Sequence, residues 1–128
     1  MRTLQPEGWP RPSGFSNGIE AGGRLVFVAG QVGWDENLAF QSDDLVDQVR
    51  QALKNILSVL NEADAGPEHI ARMTWYIVDK HEYLARTREI GEVYRKLMGK
   101  HFKTMTLVQV EDLIEDKDKI KIEITAVI

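Results

Sequence analysis

The run Arg24 to Val32, RLVFVAGQV, limits what this chain can fold into more than any other stretch. Leu25 to Ala29 is unbroken apolar sequence rich in β-branched residues, so it reads as a central strand covered on both faces. It closes on Gly30-Gln31, where bare backbone lets a ligand come close. Gly22-Gly23 just before it suits the positive φ of a tight reversal, which predicts a hairpin of Phe15–Ala21 with Arg24–Val32. Upstream, Pro6, Pro10 and Pro12 with Gly8 and Gly14 predict an extended, irregular arm over residues 1–14. Gly33 to Asn37 is turn-like, and Trp34 there is either a lid on a cleft or, the favoured reading, an edge contact.

From Asp43 the period changes. Leu45, Val49, Ala52, Leu53, Ile56, Leu57 and Leu60 recur at three and four, which makes one apolar helix face, capped by Ser42 or Asp43 and stopped at Ala65-Gly66-Pro67. Arg72–Val78 follows as a second central strand, with Met73, Trp75 and Ile77 opposite Tyr76 and Val78. Asp79 with Glu82 resembles a capping box and opens one helix over roughly 82–98, which Gly99 ends. Met105–Val110 alternates, a charged turn spans Glu111–Lys119, and in the last strand Ile120, Ile122, Ile124 and Ala126 face away from Lys121, Glu123, Thr125 and Val127. The expected order is ββαβαββ in one α+β domain over 1–128, a mixed sheet with two helices on one face. At least two strands are apolar on both faces, so the second sheet face needs a cover from outside the chain. A symmetric oligomer supplies one, with Met105, Gln109 and Glu123 placed on that uncovered face near a subunit boundary.

Composition excludes several functions. With 128 residues, 43% of them hydrophobic, the chain can bury a core without staples, and the lack of cysteine removes disulfides, thiolate nucleophiles and cysteine metal sites. No signal-like segment and no run of about 20 apolar residues is present, so a soluble cytoplasmic protein without membrane partners is expected. The net charge of −4 argues against nucleic acid as a partner, because that affinity comes from lysine and arginine displacing counterions.

His69, His81 and His101 have no metal-ligand spacing, and the serines lack a nucleophile elbow. The acidic pairs Asp43-Asp44 and Glu115-Asp116 fall where helix starts and turns favour them. One polar group stands out: Glu123, a carboxylate between isoleucines in a strand. An ion pair with Lys121 or Arg24 and a catalytic role are both open for it.

Taken together the residues resemble the Rid family, the reactive-intermediate imine deaminases also called YjgF proteins. The resemblance runs over nearly the whole chain from Pro12. It rests on Ser13-Gly14-Phe15-Ser16-Asn17-Gly18-Ile19, the Leu25–Val32 run, Gln48 with Ala52-Leu53 and Asn55, Ala65-Gly66-Pro67, Tyr94, and the closing Ile120–Val127. It implies a chorismate-mutase-like fold and a homotrimer with three clefts between subunits. It also implies hydrolysis of enamines or imines to a carbonyl compound and ammonia, with no metal and no organic cofactor. Gly30, Gln31 and Glu123 match the family's site pattern, Glu123 as the carboxylate that positions or activates water.

The match departs at the family's Pro-Ala-Arg-Ser motif, whose arginine grips the substrate carboxylate. Here Lys103-Thr104-Met105-Thr106 occupies it, and a thioether cannot replace an arginine fork. Phe15 stands in place of a tyrosine, and Gly91 falls where an asparagine is common. The chain therefore resembles the arginine-lacking subgroups. Lys103 is a candidate replacement cation, about 7 Å from position 105 on the same strand face, against the reading of a solvated loop lysine. Phe15, Gly30, Gln31, Lys103 and Met105 are the candidate binding residues and Glu123 the candidate catalytic one, acting on a small imine or enamine less anionic than the family's usual substrate. The alternatives are a non-catalytic small-molecule-binding or regulatory trimer, and RNA cleavage, which the acidic charge disfavours.

Overall fold

The computed structural model describes residues 1–128. The apolar period after Asp43 produces α1, Leu45–Asn61, whose stripe of Leu45, Val49, Ala52, Leu53, Ile56 and Leu60 is fully buried. Its N-cap is Asp44 rather than Ser42 or Asp43: the Asp44 carboxylate accepts from the Asp47 N–H at 3.2 Å, while the Ser42 hydroxyl accepts from the Asp44 N–H at 3.0 Å. The helix stops at Asn61, before the expected Ala65-Gly66-Pro67, because Asp64 takes the left-handed turn (φ 54°) and Pro67 begins a 3₁₀ turn over Pro67–His69.

The second helical run is divided. α2, Lys80–Ala85, and α3, Thr87–Met98, break at Arg86, whose φ of −119° and ψ of 14° are not helical. Its guanidinium bonds Glu89 and reaches across to Asp44 at 2.8 Å, fixing the break against the start of α1. Arg86 holds the Asp44 carboxyl below its ordinary range. Asp79 caps α2 by accepting from the His81 and Glu82 N–H groups, and Gly99, at φ 72°, ends α3 as expected.

Two expectations about strands are corrected. The segment β2, Gly18–Glu20, does not form a hairpin with β3, Leu25–Gln31; it pairs antiparallel with β1, Arg2–Leu4, inside the arm expected to be irregular. An Arg2–Glu20 ion pair closes that ladder. Gly23 is packed so close to the Ile128 carbonyl that a Cβ would lie 2.2 Å from it, and Arg24 and Ile128 exchange both backbone bonds. The glycine pair therefore leads the chain along the last strand instead of back along β2.

The main sheet has the order β3-β6-β4-β5, with β4 at Ile70–Ile77, β5 at Thr104–Gln109 and β6 at Ile120–Val127. β6 is antiparallel to both its neighbours, and β4 and β5 run parallel. β3 is an edge strand, not a central one. Val28 faces the helices and is buried, but Leu25 and Phe27 alternate to the other face, where Phe27 is 72% exposed. The helices cover one face only; Tyr76, Thr106, Val108, Lys121, Glu123 and Thr125 share the open one with Leu25 and Phe27.

Register also corrects Met105 and Gln109. Met105 lies opposite Met73, Leu107 opposite Trp75 and Gln109 opposite Ile77, so all three face the helices rather than the open side. Gln109 there accepts from the Lys80 N–H at 2.7 Å. Two side-chain amides, the buried Gln48 and the half-buried Asn55, join the layers. Gln48 donates to the carbonyls of Ser42 and Lys117 and accepts from the Lys119 N–H at 2.9 Å, and Asn55 donates to the carbonyls of Val32 and Trp34. Trp34 itself packs on Phe40 with ring centroids 5.9 Å apart, an edge contact.

Candidate functional site

The candidate residues fall into three places. The first is a cavity of about 790 Å³ between β5, α3 and the loop before β2. Phe15 and Met105 both line it, with Trp75, Gly91, Tyr94 and Leu107. The walls are mainly apolar. Burial pushes the Tyr94 phenol up to about 12 and raises Tyr83 as well, so both stay protonated at neutral pH as neutral donors. The Tyr94 hydroxyl has only the Met73 sulfur, at 3.5 Å, as a partner, which leaves most of its bonding capacity unused. Arg95 and Lys100 are the two cations on this cavity.

Lys103 does not line that cavity. It precedes β5, and it lines a neighbouring space of about 610 Å³ with Arg11, Ser16, Glu68 and His101. It is not a solvated loop lysine either, being 1% exposed. Its ammonium has one long bond, 3.4 Å to the His101 carbonyl. Burial draws its pKa down to about 8, against the opposing effect of the Glu68 carboxylate. The chain is held in this path because the Lys103 carbonyl accepts from the Ser16 N–H at 2.9 Å and the Ser16 hydroxyl donates to the Phe102 carbonyl at 2.6 Å.

Glu123, Gly30 and Gln31 form the third group, at the β3–β6 side of the sheet. Glu123 lies on the open face and forms no ion pair with Lys121 or Arg24. It accepts a 2.9 Å hydrogen bond from the Tyr76 hydroxyl, reached diagonally across the β4–β6 ladder. That bond raises the Tyr76 pKa, because losing the phenolic proton would set two anions side by side. A Cβ at Gly30 would lie 2.5 Å from the Lys121 Cε, so the lysine stem crosses bare backbone there. Gln31 folds back to the Ala29 carbonyl at 3.1 Å beside an irregularity in the β3–β6 register. β3 and β5 are the opposite edges of a four-stranded sheet, about 14 Å apart at normal strand spacing, so one chain does not gather Met105 and Gly30 into one cleft.

Tyr76 was not legible as a partner of Glu123 without the register. Arg95 carried a weak signal: it lies one helical turn after the anomalous Gly91, on the same helix face.

Comparison with known proteins agrees with this architecture. The family model described as Endoribonuclease L-PSP matches residues 10–128. RutC family protein PH0854 of Pyrococcus horikoshii is 32% identical over 123 residues, covering 94% of this chain and 91% of that protein. TdcF of Escherichia coli, provisionally named a reactive intermediate deaminase, is 28% identical, covering 88% of this chain and 84% of its own length. Among solved structures, the Rid-family protein YyfB of Yersinia pestis, of unknown function, superposes with a TM-score of 0.87 at 31% identity, covering 99% and 98% of the two chains. Escherichia coli TdcF with bound serine gives 0.69 at 27%, covering 99% and 98%. A family match over most of the chain, a relative above 30% identity and a near-complete superposition together make this chain a member of the Rid (YjgF) family, which also carries the description Endoribonuclease L-PSP.

Proposed function

We propose that the protein hydrolyses a small imine or enamine to a carbonyl compound and ammonia, in a cleft completed by a second copy of the chain within a homotrimer. The observation that carries this reading is the division of the candidate residues. Phe15 and Met105 line a preformed cavity beside one sheet edge, while Gly30, Gln31 and Glu123 lie near the other. Copies set side by side would bring one chain's cavity to another's Glu123, and would cover the exposed Leu25 and Phe27. In that cleft Glu123, oriented by Tyr76, accepts a proton from water as it attacks the imine carbon, and ammonia departs after proton return to nitrogen. The small-molecule character of the site is supported by the serine bound in the TdcF structure. A net charge of −4 favours this reading over RNA cleavage.

Sedimentation at micromolar concentration should give a trimer, and Phe27→Glu should shift it towards monomer by placing a charge in the covered face. A monomeric wild type removes the shared cleft. The chemistry is tested by ammonia release from an imino acid generated in situ by an amino-acid oxidase, with Met105→Arg compared alongside. Faster hydrolysis by wild type is expected. Silence in both proteins sinks the deaminase reading and leaves a small-molecule-binding or regulatory trimer, which Met105 and Phe15 favour.

A further inference from the structure

Gly91 is anomalous where it stands. It is inside α3 with ordinary helical backbone, where glycine weakens a helix relative to alanine, so a turn does not require it. Its environment suggests what does. A Cβ built on Gly91 would lie 3.3 Å from the Nη1 of Arg95, which means that the guanidinium rests over the missing side chain. Residues four apart share a helix face, and helical side chains lean towards the N-terminus, so Arg95 runs back along α3 over position 91. Both residues line the cavity that holds Phe15 and Met105. Two other arginines of this segment, Arg86 and Arg88, have carboxylate partners in Glu89 and Glu92; Arg95 has none.

We infer that Arg95, laid across Gly91, is the cation that binds a substrate carboxylate in this cavity, replacing from α3 the arginine that Met105 displaced from β5. The inference rests on the imine-hydrolysis reading of the same cavity and deepens it: the substrate class becomes small imino acids and their α-keto acid products. The expectation of a less anionic substrate is thereby reversed. The guanidinium offers a planar fork of donors, which suits a carboxylate better than the single-point charge of Lys100 on the same cavity. Gly91 and Met105 then read as linked changes. A side chain at 91 would push the guanidinium outwards, and an arginine at 105 would place a second cation against it.

The test uses pyruvate binding by calorimetry, with Michaelis constants for the in situ imino acid measured in parallel. Arg95→Gln should weaken pyruvate binding by about tenfold, the size of one charge-assisted contact at a solvent-reached site. Ethyl pyruvate, which lacks the charge, should bind both proteins alike. Arg95→Gln with Met105→Arg should recover most of the loss, since the fork returns to the cavity from β5. Gly91→Ala should raise the thermal midpoint and weaken pyruvate binding together, an outcome that a merely structural glycine does not give. The inference is overturned if wild type does not bind pyruvate, if Arg95→Gln binds it unchanged, or if the loss falls on Lys100→Gln instead. The two readings fail separately. Pyruvate held through Arg95 without any turnover removes the hydrolase and keeps the carboxylate site, whereas turnover with an unchanged Michaelis constant in Arg95→Gln removes the site and keeps the hydrolase.

Discussion

Glu123→Gln is expected to lower kcat for imine hydrolysis by about 10²–10⁴-fold, the range for a positioned general base, with little change in the Michaelis constant. Glutamine has nearly the same shape and its amide oxygen can still accept the 2.9 Å bond from Tyr76, so the fold and the ladder should be undisturbed. What is lost is the capacity to take a proton from water. Tyr76→Phe should have a smaller effect, because it removes the donor that orients the carboxylate and leaves the base itself. A Glu123→Gln variant that keeps wild-type kcat, with unchanged thermal stability, shows that the carboxylate is structural and moves the small-molecule-binding reading ahead.

How far the sequence revealed this arrangement depends on what each signal encodes. The α1 stripe was legible because a period of 3.6 names both the element and its buried face: Leu45, Val49, Ala52, Leu53, Ile56 and Leu60 are buried as the spacing requires, and Leu57 at the edge of the stripe is half-buried. The alternation in β6 was legible for the same reason. β3 misled, since apolar residues such as Phe27 read as core whether or not the chain itself covers them. β1 and β2 have three residues each, too few to show a period, so their pairing left no pattern. Alternation put Met105 and Gln109 on the same side of β5, but only the parallel register with β4 says that this side faces the helices. The candidate site divides along the same line. Residue types singled out Glu123 and Met105, while Tyr76 and Arg95 emerge only from cross-strand and helix-face geometry.

Lys103→Met should raise stability near neutral pH by about 2–3 kcal/mol, because a pKa drawn from 10.5 to about 8 is a standing penalty on the folded state at 1.36 kcal/mol per unit, reduced by local relaxation. Methionine fills a similar volume in a position only 1% exposed, and removing the ammonium frees just the long bond to the His101 carbonyl. The pH dependence follows from where the proton is held. Below about pH 8 both states carry it and the full penalty applies; between about pH 8 and 10.5 the unfolded chain binds more protons than the folded one, so wild-type stability rises with pH relative to the variant. Urea unfolding of both proteins across that window should therefore show the gap narrowing as pH increases. A gap that is absent at neutral pH, or that does not narrow, means the amine finds adequate solvation in its cavity. Imine hydrolysis should be unaffected by the change, because Lys103 and Met105 line different cavities. A loss of turnover in Lys103→Met at unchanged stability would restore this lysine as the substitute for the displaced arginine, at the expense of Arg95.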